Sequence, residues 1–472
     1  MSLMTNPILR SDSYKFSHYL QDVPGTTRKR YYITARKNNS GSPATGVIFR
    51  GLSYYLQQHL STPITMDDVL EAEEFILAHG LPFNREGWVK IVEEYDGVFP
   101  VEILAVPEGT FVPFGMPMVI IENLDPELPW LGGWIETLIL QSCWYSSTVT
   151  TNSWYIKQDL KKALEKSGSS LNGLEFMLHD FGYRGVSTQE SAGVGGAAHL
   201  VNFKGTDNVA GIVYAKEYYK AAGMPGLSVI AAEHSTVTPW GHERSDEKRC
   251  YENLIDIGTK DGGIVSIVAD SFNLQAAVED LFCRELKSKI ENCGGRVVVR
   301  PDSGDPKEIP VWVLETLLKN YNYTYNEKGY KVLPDCIRVI QGDGISRETI
   351  QSILASLEEK RISPENIVFG MGGKLLQDLS RDTFSFAMKC CSATINGEEV
   401  DVRKDPKTDP SKRSLGGNIV LIRNDTYDSL DFAREDEIPE GYSLAMECYF
   451  NLGIQKLDTF QEIQRRANEA LK

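Results

Sequence analysis

The chain has 472 residues, of which 42% are hydrophobic and 24% charged, and a formal net charge of -16 at pH 7. That composition suits one large core with a smaller second domain, excludes a disordered chain, and argues against nonspecific nucleic-acid binding, so any anion site must rest on a local basic cluster. No apolar run approaches the roughly 20 residues of a membrane span, no basic and apolar leader is present, and the eight cysteines show no CxxC or zinc spacing, which predicts reduced thiols and a cytoplasmic location.

Residues 4–170 read as an N-terminal α+β domain, with strand-like pieces at Arg30–Thr34 and Val101–Val106 and a helical one at Met66–Ala78. Over residues 171–384 the rhythm becomes a regular alternation of apolar run, polar turn and amphipathic helix. The runs fall at 174–178, 227–231, 264–269, 296–300, 337–340 and 367–369, and read as buried parallel strands of a (β/α) barrel. Ile350, Ile353, Leu354 and Leu357 lie on one helical stripe, with Ser346 placed as N-cap. Residues 385–472 are more polar and return to the first domain, with an exposed basic loop at 404–414.

Three turns behind the expected strands carry glycines: PDSGD after Arg300, QGDGIS after Ile340 and GMGGK after Phe369. Glycines let backbone N–H groups approach an anion, and a following helix N-terminus adds positive potential, so such loops suit a phosphorylated ligand. Asp302 and Asp343 in the same turns suit sugar hydroxyls or Mg²⁺. His234 follows another strand and has Asp270 behind the next one to bond its second ring nitrogen. Phe181 and Tyr14 are either core aromatics or ring-stacking groups, and Asp207 is either a helix cap or a ligand acceptor. The remaining histidines His59, His79, His199 and His242 read as structural.

Longer motifs then resemble a known family: SDSYKFSHY from Ser11, LHDFGYRGVSTQESAG from Leu178, HLVNFKGTD from His199, AAEHST from Ala231, RPDSGDP from Arg300, QGDG from Gln341 and KDP from Lys404. Together they are similar to nicotinamide phosphoribosyltransferases, within the type II phosphoribosyltransferases. The resemblance runs over nearly the whole chain. It implies an irregular α/β barrel packed with a second α+β domain built from N- and C-terminal segments, in a head-to-tail homodimer with shared active sites. The implied reaction transfers the phosphoribosyl group of 5-phosphoribosyl-1-pyrophosphate to nicotinamide, giving nicotinamide mononucleotide and pyrophosphate with Mg²⁺, coupled to ATP hydrolysis through a phosphohistidine.

By that resemblance Phe181 and, from the partner subunit, Tyr14 sandwich the pyridine ring, while Asp207 accepts the carboxamide N–H and Arg300 borders the base. Arg184, His234 and Arg300 hold the pyrophosphate, helped by Arg36, Lys389, Lys404 and Lys412. Asp302 takes ribose hydroxyls and the metal region. Gly342 and Asp343 take the ribose, and Gly372, Gly373 and Arg381 the 5′-phosphate. His234, oriented by Asp270, is the phosphoryl acceptor. Phe272 and Asn273 stand where the family carries tyrosine and aspartate, and Lys374 replaces a third glycine. The alternatives are a nicotinate phosphoribosyltransferase, which the Asp207 charge opposes, and a catalytically silent binding protein, which the complete set Arg184, His234, Arg300 and Asp302 opposes.

Overall fold

The computed structural model of the protein describes residues 3–408 and 413–471. Two compact units form: Met1–Thr151, Lys216–Ala222 and Ser380–Lys472 make the first, Asn152–Ala215 and Gly223–Leu379 the second. The change between them falls at 151/152, inside the helix Leu131–Ser167, and again at 379/380, so neither lies at the expected 170 or 384 boundary. The middle of that helix is rich in serine and threonine, which a buried helix tolerates only when the hydroxyls find acceptors. Thr148, Thr150 and Thr151 donate to the carbonyls four residues back.

In the first unit, six antiparallel strands form one sheet in the order 398–401, 386–395, 26–35, 119–123, 101–105, 447–451. The C-terminal segment is therefore not merely polar: Phe386–Ile395 is a central strand with a largely buried face, paired with Thr26–Ala35 from Tyr32 opposite Lys389 to Ala35 opposite Phe386. A cluster of Trp88, Trp130, Trp134 and Phe99, with ring centroids 4.8 to 5.4 Å apart, anchors the helices below it. The helix Met66–Ala78 coincides with its expected span and begins with a capping box from Thr65 and Asp68.

The second unit is built on seven parallel strands in the order 205–206, 178–180, 367–371, 337–341, 296–300, 264–268, 230–231. Their apolar runs, such as Val297, Val298 and Val299, are buried, as expected of strands covered by helices on the outside and side chains within. Leu227, just before the strand Ile230–Ala231, pairs with Gly205 on the opposite edge, and Thr206 N–H donates to its carbonyl at 3.0 Å. The sheet thereby curls into an irregular barrel. Two strands depart from the sequence-based expectation. Residues 174–176 form a 3₁₀ turn after Gly173, which sits at φ 83°, and the strand begins only at Leu178. Ile230–Ala231 is exposed rather than buried. Because all seven strands are parallel, the loops that follow them meet at one end.

Candidate active site

Those loops enclose a cleft of about 1010 Å³ lined by Phe181, Tyr183, Arg184, Gly185, Val186, Ser187, Thr188, Gln189, Asp207, Ala231, Ala232, Glu233, Arg300, Asp302, Gly342, Asp343, Gly372 and Gly373. It lies wholly within the second unit. Of the residues singled out in the sequence, the barrel brings Phe181, Arg184, Asp207, Arg300, Asp302, Gly342, Asp343, Gly372 and Gly373 to one wall or another of this cleft.

The Phe181 ring is held by what surrounds it. Its backbone N–H donates to Met371 O at 3.0 Å. A methyl group at Gly370 would overlap the ring, and one at Gly342 would stand 3.3 Å from its edge, so two glycines leave the space that the ring occupies. The same cleft is lined by Asp207. The helix Val209–Tyr219 is capped by the next residue, Asn208, whose Oδ1 accepts the Gly211 N–H at 3.2 Å. Asp207 is thus released from capping; its exposed carboxylate accepts only the Ser228 hydroxyl, at 2.5 Å, among the described contacts.

Arg300 is the best-marked cation in the cleft. Its side chain is 15% exposed, its Nε is buried without an acceptor among the described residues, and Asp302 lies 4.0 Å away. A buried guanidinium donor left open costs free energy; Arg30 and Arg50 also carry such an Nε, and what sets Arg300 apart is its place in the cleft wall. Arg184, in contrast, is 92% exposed, with Glu233 at 4.0 Å, and is free to fold over an anion. His234 opens a short helix capped by Glu233, directly behind the cleft wall, and its Nε2 is 3.0 Å from Asp270 Oδ1. Asp270 is nearly buried and His234 about half exposed, so the imidazole is tethered to a carboxylate at one nitrogen while much of the ring stays accessible.

The other predicted cations lie in the first unit. Burial, with the charges of Arg36, Arg381 and Lys404, holds the Lys389 ammonium there below the usual lysine range, against the opposing charge of Glu136. Arg381, expected beside Gly372 and Gly373, is in this cluster rather than among the residues lining the cleft. Tyr14 belongs to the same unit, is 56% exposed and packs edge-on against His18, so it is no core aromatic. Lys412 lies outside the described residues.

Comparison with known proteins agrees with this layout. The sequence profile of the nicotinate phosphoribosyltransferase family matches residues 176–439, and that of the nicotinamide phosphoribosyltransferase N-terminal domain matches residues 6–103. The chain belongs to the nicotinate phosphoribosyltransferase family. A nicotinamide phosphoribosyltransferase of Xanthomonas campestris pv. campestris (strain 8004) is 40% identical over 439 residues, covering 93% of this chain and 92% of that protein. Another, from Acinetobacter baylyi (strain ATCC 33305 / BD413 / ADP1), is 31% identical over 507 residues and covers 100% of this chain and 99% of its own. Among solved structures, nicotinate-nucleotide pyrophosphorylase from Pyrococcus furiosus superposes with a TM-score of 0.64 at 14% identity, over 99% of this chain and 96% of that one. Human nicotinic acid phosphoribosyltransferase gives 0.56 at 13% identity, over 98% and 93%. At such identities these two speak for the fold alone, a curled parallel-sheet unit and an antiparallel-sheet unit.

Within this family cleft, sequence reasoning missed the stretch Ser187–Gln189, the Ser228 hydroxyl on Asp207, and Gly370 beneath Phe181. Only Gly370 left a signal, a glycine inside an apolar strand, which marks close approach of another group. His199 kept its structural role: burial pushes its imidazole down to about 4, and it bonds Ser153 and Gly205 O at 3.2 Å each.

Proposed function

We propose that this protein transfers the phosphoribosyl group of 5-phosphoribosyl-1-pyrophosphate to nicotinamide. The observation that carries this reading is the pairing, across one cleft, of an aromatic ring and an uncapped carboxylate with a guanidinium whose buried Nε has no acceptor. Phe181 stacks on the pyridine, and Asp207 accepts from the carboxamide N–H. Nicotinate would set its own carboxylate against Asp207, a like-charge contact costing several kcal/mol when desolvated. Both the Xanthomonas and the Acinetobacter relatives are named for nicotinamide, which favours the amide over nicotinate.

In the reaction the pyridine nitrogen gives its lone pair to the anomeric carbon, and the bond from that carbon to pyrophosphate breaks with its electron pair on the leaving oxygen. The sugar passes through an oxocarbenium-like state, so orientation and charge stabilisation do the catalysis. Arg184 and Arg300 hold the departing pyrophosphate. The backbone at Gly342, Gly372 and Gly373, with the Asp343 carboxylate, receives the ribose and 5′-phosphate. Among the described residues no group of three His, Cys, Asp or Glu side chains could hold a metal unaided, whereas Mg²⁺ is commonly bound by one carboxylate plus substrate phosphates. Asp302, at the cleft wall beside Arg300, fits that role. Bound there, Mg²⁺ would neutralise phosphate charge.

ATP is proposed as a co-substrate. With Nε2 on Asp270, the Nδ1 of His234 is the nitrogen that would take the γ-phosphoryl group, with ADP leaving. The first-unit cations Arg36, Arg381, Lys389 and Lys404, with Tyr14, are assigned to a partner subunit's cleft in a homodimer, and Lys412, outside the described residues, is assigned there by the resemblance alone. A cytoplasmic location completes the reading; all eight cysteines are free thiols. The test is product identification by mass spectrometry with nicotinamide and nicotinate offered together with the sugar donor and Mg²⁺. Nicotinamide mononucleotide should dominate; a predominance of the nicotinate product, or no nucleotide, would overturn the assignment.

A further inference from the structure

Asp180 ends the barrel strand Leu178–Asp180 and its side chain is fully buried beneath the cleft. It does not line the cleft. Its three acceptor oxygens nevertheless each bond Asp207 itself or the residue directly after Phe181 or Asp207. Oδ1 accepts the Gly182 N–H at 2.7 Å, directly after Phe181. Oδ2 accepts from Asn208 Nδ2 at 2.9 Å, directly after Asp207. The backbone carbonyl accepts the Asp207 N–H at 3.0 Å.

We propose that Asp180 is a positioning residue that ties the aromatic side of the base subsite, Phe181, to its acidic side, Asp207, so that both face a planar amide in one fixed relation. This rests on the reading of the cleft as a nicotinamide site. The simpler account is a strand-end aspartate closing its own turn onto Gly182. That turn needs one neutral acceptor, which asparagine supplies without burying a charge. The carboxylate is held at a cost: burial pushes its acidity up to about 6, with the Asp207 charge acting in the same direction. What only the carboxylate offers is a second acceptor at the same place, and that oxygen is used on Asn208.

Asn208 in turn cannot drift. It is fully buried, its Nδ2 also donates to Ala192 O at 2.9 Å, its N–H donates to Thr206 Oγ1 at 2.9 Å, and its Oδ1 caps the following helix. That helix meets the helix Gln189–His199 at Gly211 against Gly196, where a methyl group would stand 2.7 Å from backbone. The Asp180 to Asn208 link therefore joins the turn carrying Phe181 to the helix start beside Asp207, and loosening it should spread their spacing, while the Gly182 turn that leads into Arg184 keeps its acceptor and Arg300 stands at the end of a different strand.

Steady-state kinetics of the full-length protein test this. Asp180→Asn keeps the turn acceptor but sets two amide donors against each other. It should raise KM for nicotinamide about tenfold, while KM for the sugar donor and kcat stay within about twofold, the pattern of lost ground-state positioning. Asn208→Ser, which removes the donor to Asp180 Oδ2 while Asp180 still closes the Gly182 turn, should show the same split. An unchanged nicotinamide KM in both variants, or equal losses in both KM values and kcat, would overturn the inference. If Asp180→Asn does not fold, Asn208→Ser carries the same expectation, and failure of both to fold makes the pair a folding requirement and the positioning role wrong. A parent that makes no nicotinamide mononucleotide refutes the proposed function instead, so the two failures are distinguishable.

Discussion

Arg300 and Asp207 illustrate how a single atom left open can define a site. The buried Nε of Arg300 is costly alone, whereas the Asp207 carboxylate is exposed and released from capping, and a carboxamide between ring and loops offers a donor to the carboxylate while phosphate or amide oxygen serves the guanidinium. Asp207→Asn should therefore narrow the preference for nicotinamide over nicotinate by about tenfold in the ratio of kcat/KM values, because a neutral side chain both accepts from an amide and donates to a carboxylate. An unaltered ratio would mean that another group selects the base. At His234 the prediction is chemical. Incubation with ATP and Mg²⁺ should give an acid-labile, base-stable phosphoryl adduct, lost with ATP stimulation in His234→Ala, while a slow ATP-independent transfer persists through Arg184 and Arg300. An adduct that survives in the variant places the phosphoryl group elsewhere. Asp180 adds a pH dependence whose sign is fixed. Its folded acidity, about 6, is raised above the usual 3.8, so its contribution to stability is full below pH 3.8 and is lost as pH rises through 6. The lost part is about 3 kcal/mol at 1.36 kcal/mol per unit. Urea unfolding of parent and Asp180→Asn should show the parent losing ground to the variant between pH 4 and 7, and a pH-independent difference would show that Asp180 does not titrate in that window.

The barrel strands set where these atoms stand, and their glycines are specific to the ligand part they face. At Gly370 a methyl group would overlap the Phe181 ring, whereas at Gly373 nothing lies within 4 Å. Gly370→Ala should displace the ring and raise KM for nicotinamide, by about tenfold or more, with little effect on the sugar donor. Gly373→Ala should do the opposite, since its methyl group projects into the space assigned to phosphate. Swapped or equal effects would reverse the orientation given to the substrates. The same elements explain what the sequence disclosed. Strands with a continuous apolar run, such as Arg296–Arg300 and Ile337–Gln341, were legible to within a residue, as was the helix capped by Ser346. The strand Gly205–Thr206 was not, because two residues carry no period, and its place depends on Gly205, where a methyl group would stand 2.6 Å from His179 Nδ1. Nor was the first-unit sheet, whose central pairing joins residues more than 350 positions apart, Tyr32 with Lys389; local pattern contains no trace of such a partner. The cleft residues themselves were legible mainly through long motifs, while Asp180 and Ser228 act through bonds that only the fold reveals.

For the molecule as a whole, a chain of net charge -16 would have to gather cations locally to hold the pyrophosphate proposed above, and basic side chains stand in two places. Arg184 and Arg300 line the second unit's cleft, and Arg36, Arg381, Lys389 and Lys404 cluster in the first unit. In the second unit, Val209, Val213, Met224 and Ile230 are 63%, 53%, 58% and 47% exposed, and burial of such side chains would favour association. These features fit a head-to-tail dimer in which Tyr14 and the first-unit cations serve the partner's barrel. Complementation decides it. Tyr14→Ala chains and His234→Ala chains, each lacking ATP-stimulated transfer alone, should regain it on mixing, since in a mixed dimer one cleft combines the intact His234 of one chain with the intact Tyr14 of the other. Random exchange leaves half the dimers mixed with one sound cleft of two, so about a quarter of the parental ATP-stimulated rate is expected. No recovery, with mixed dimers shown to form by differently tagged chains, would place Tyr14 and His234 in the same subunit's site and remove the reason for sharing.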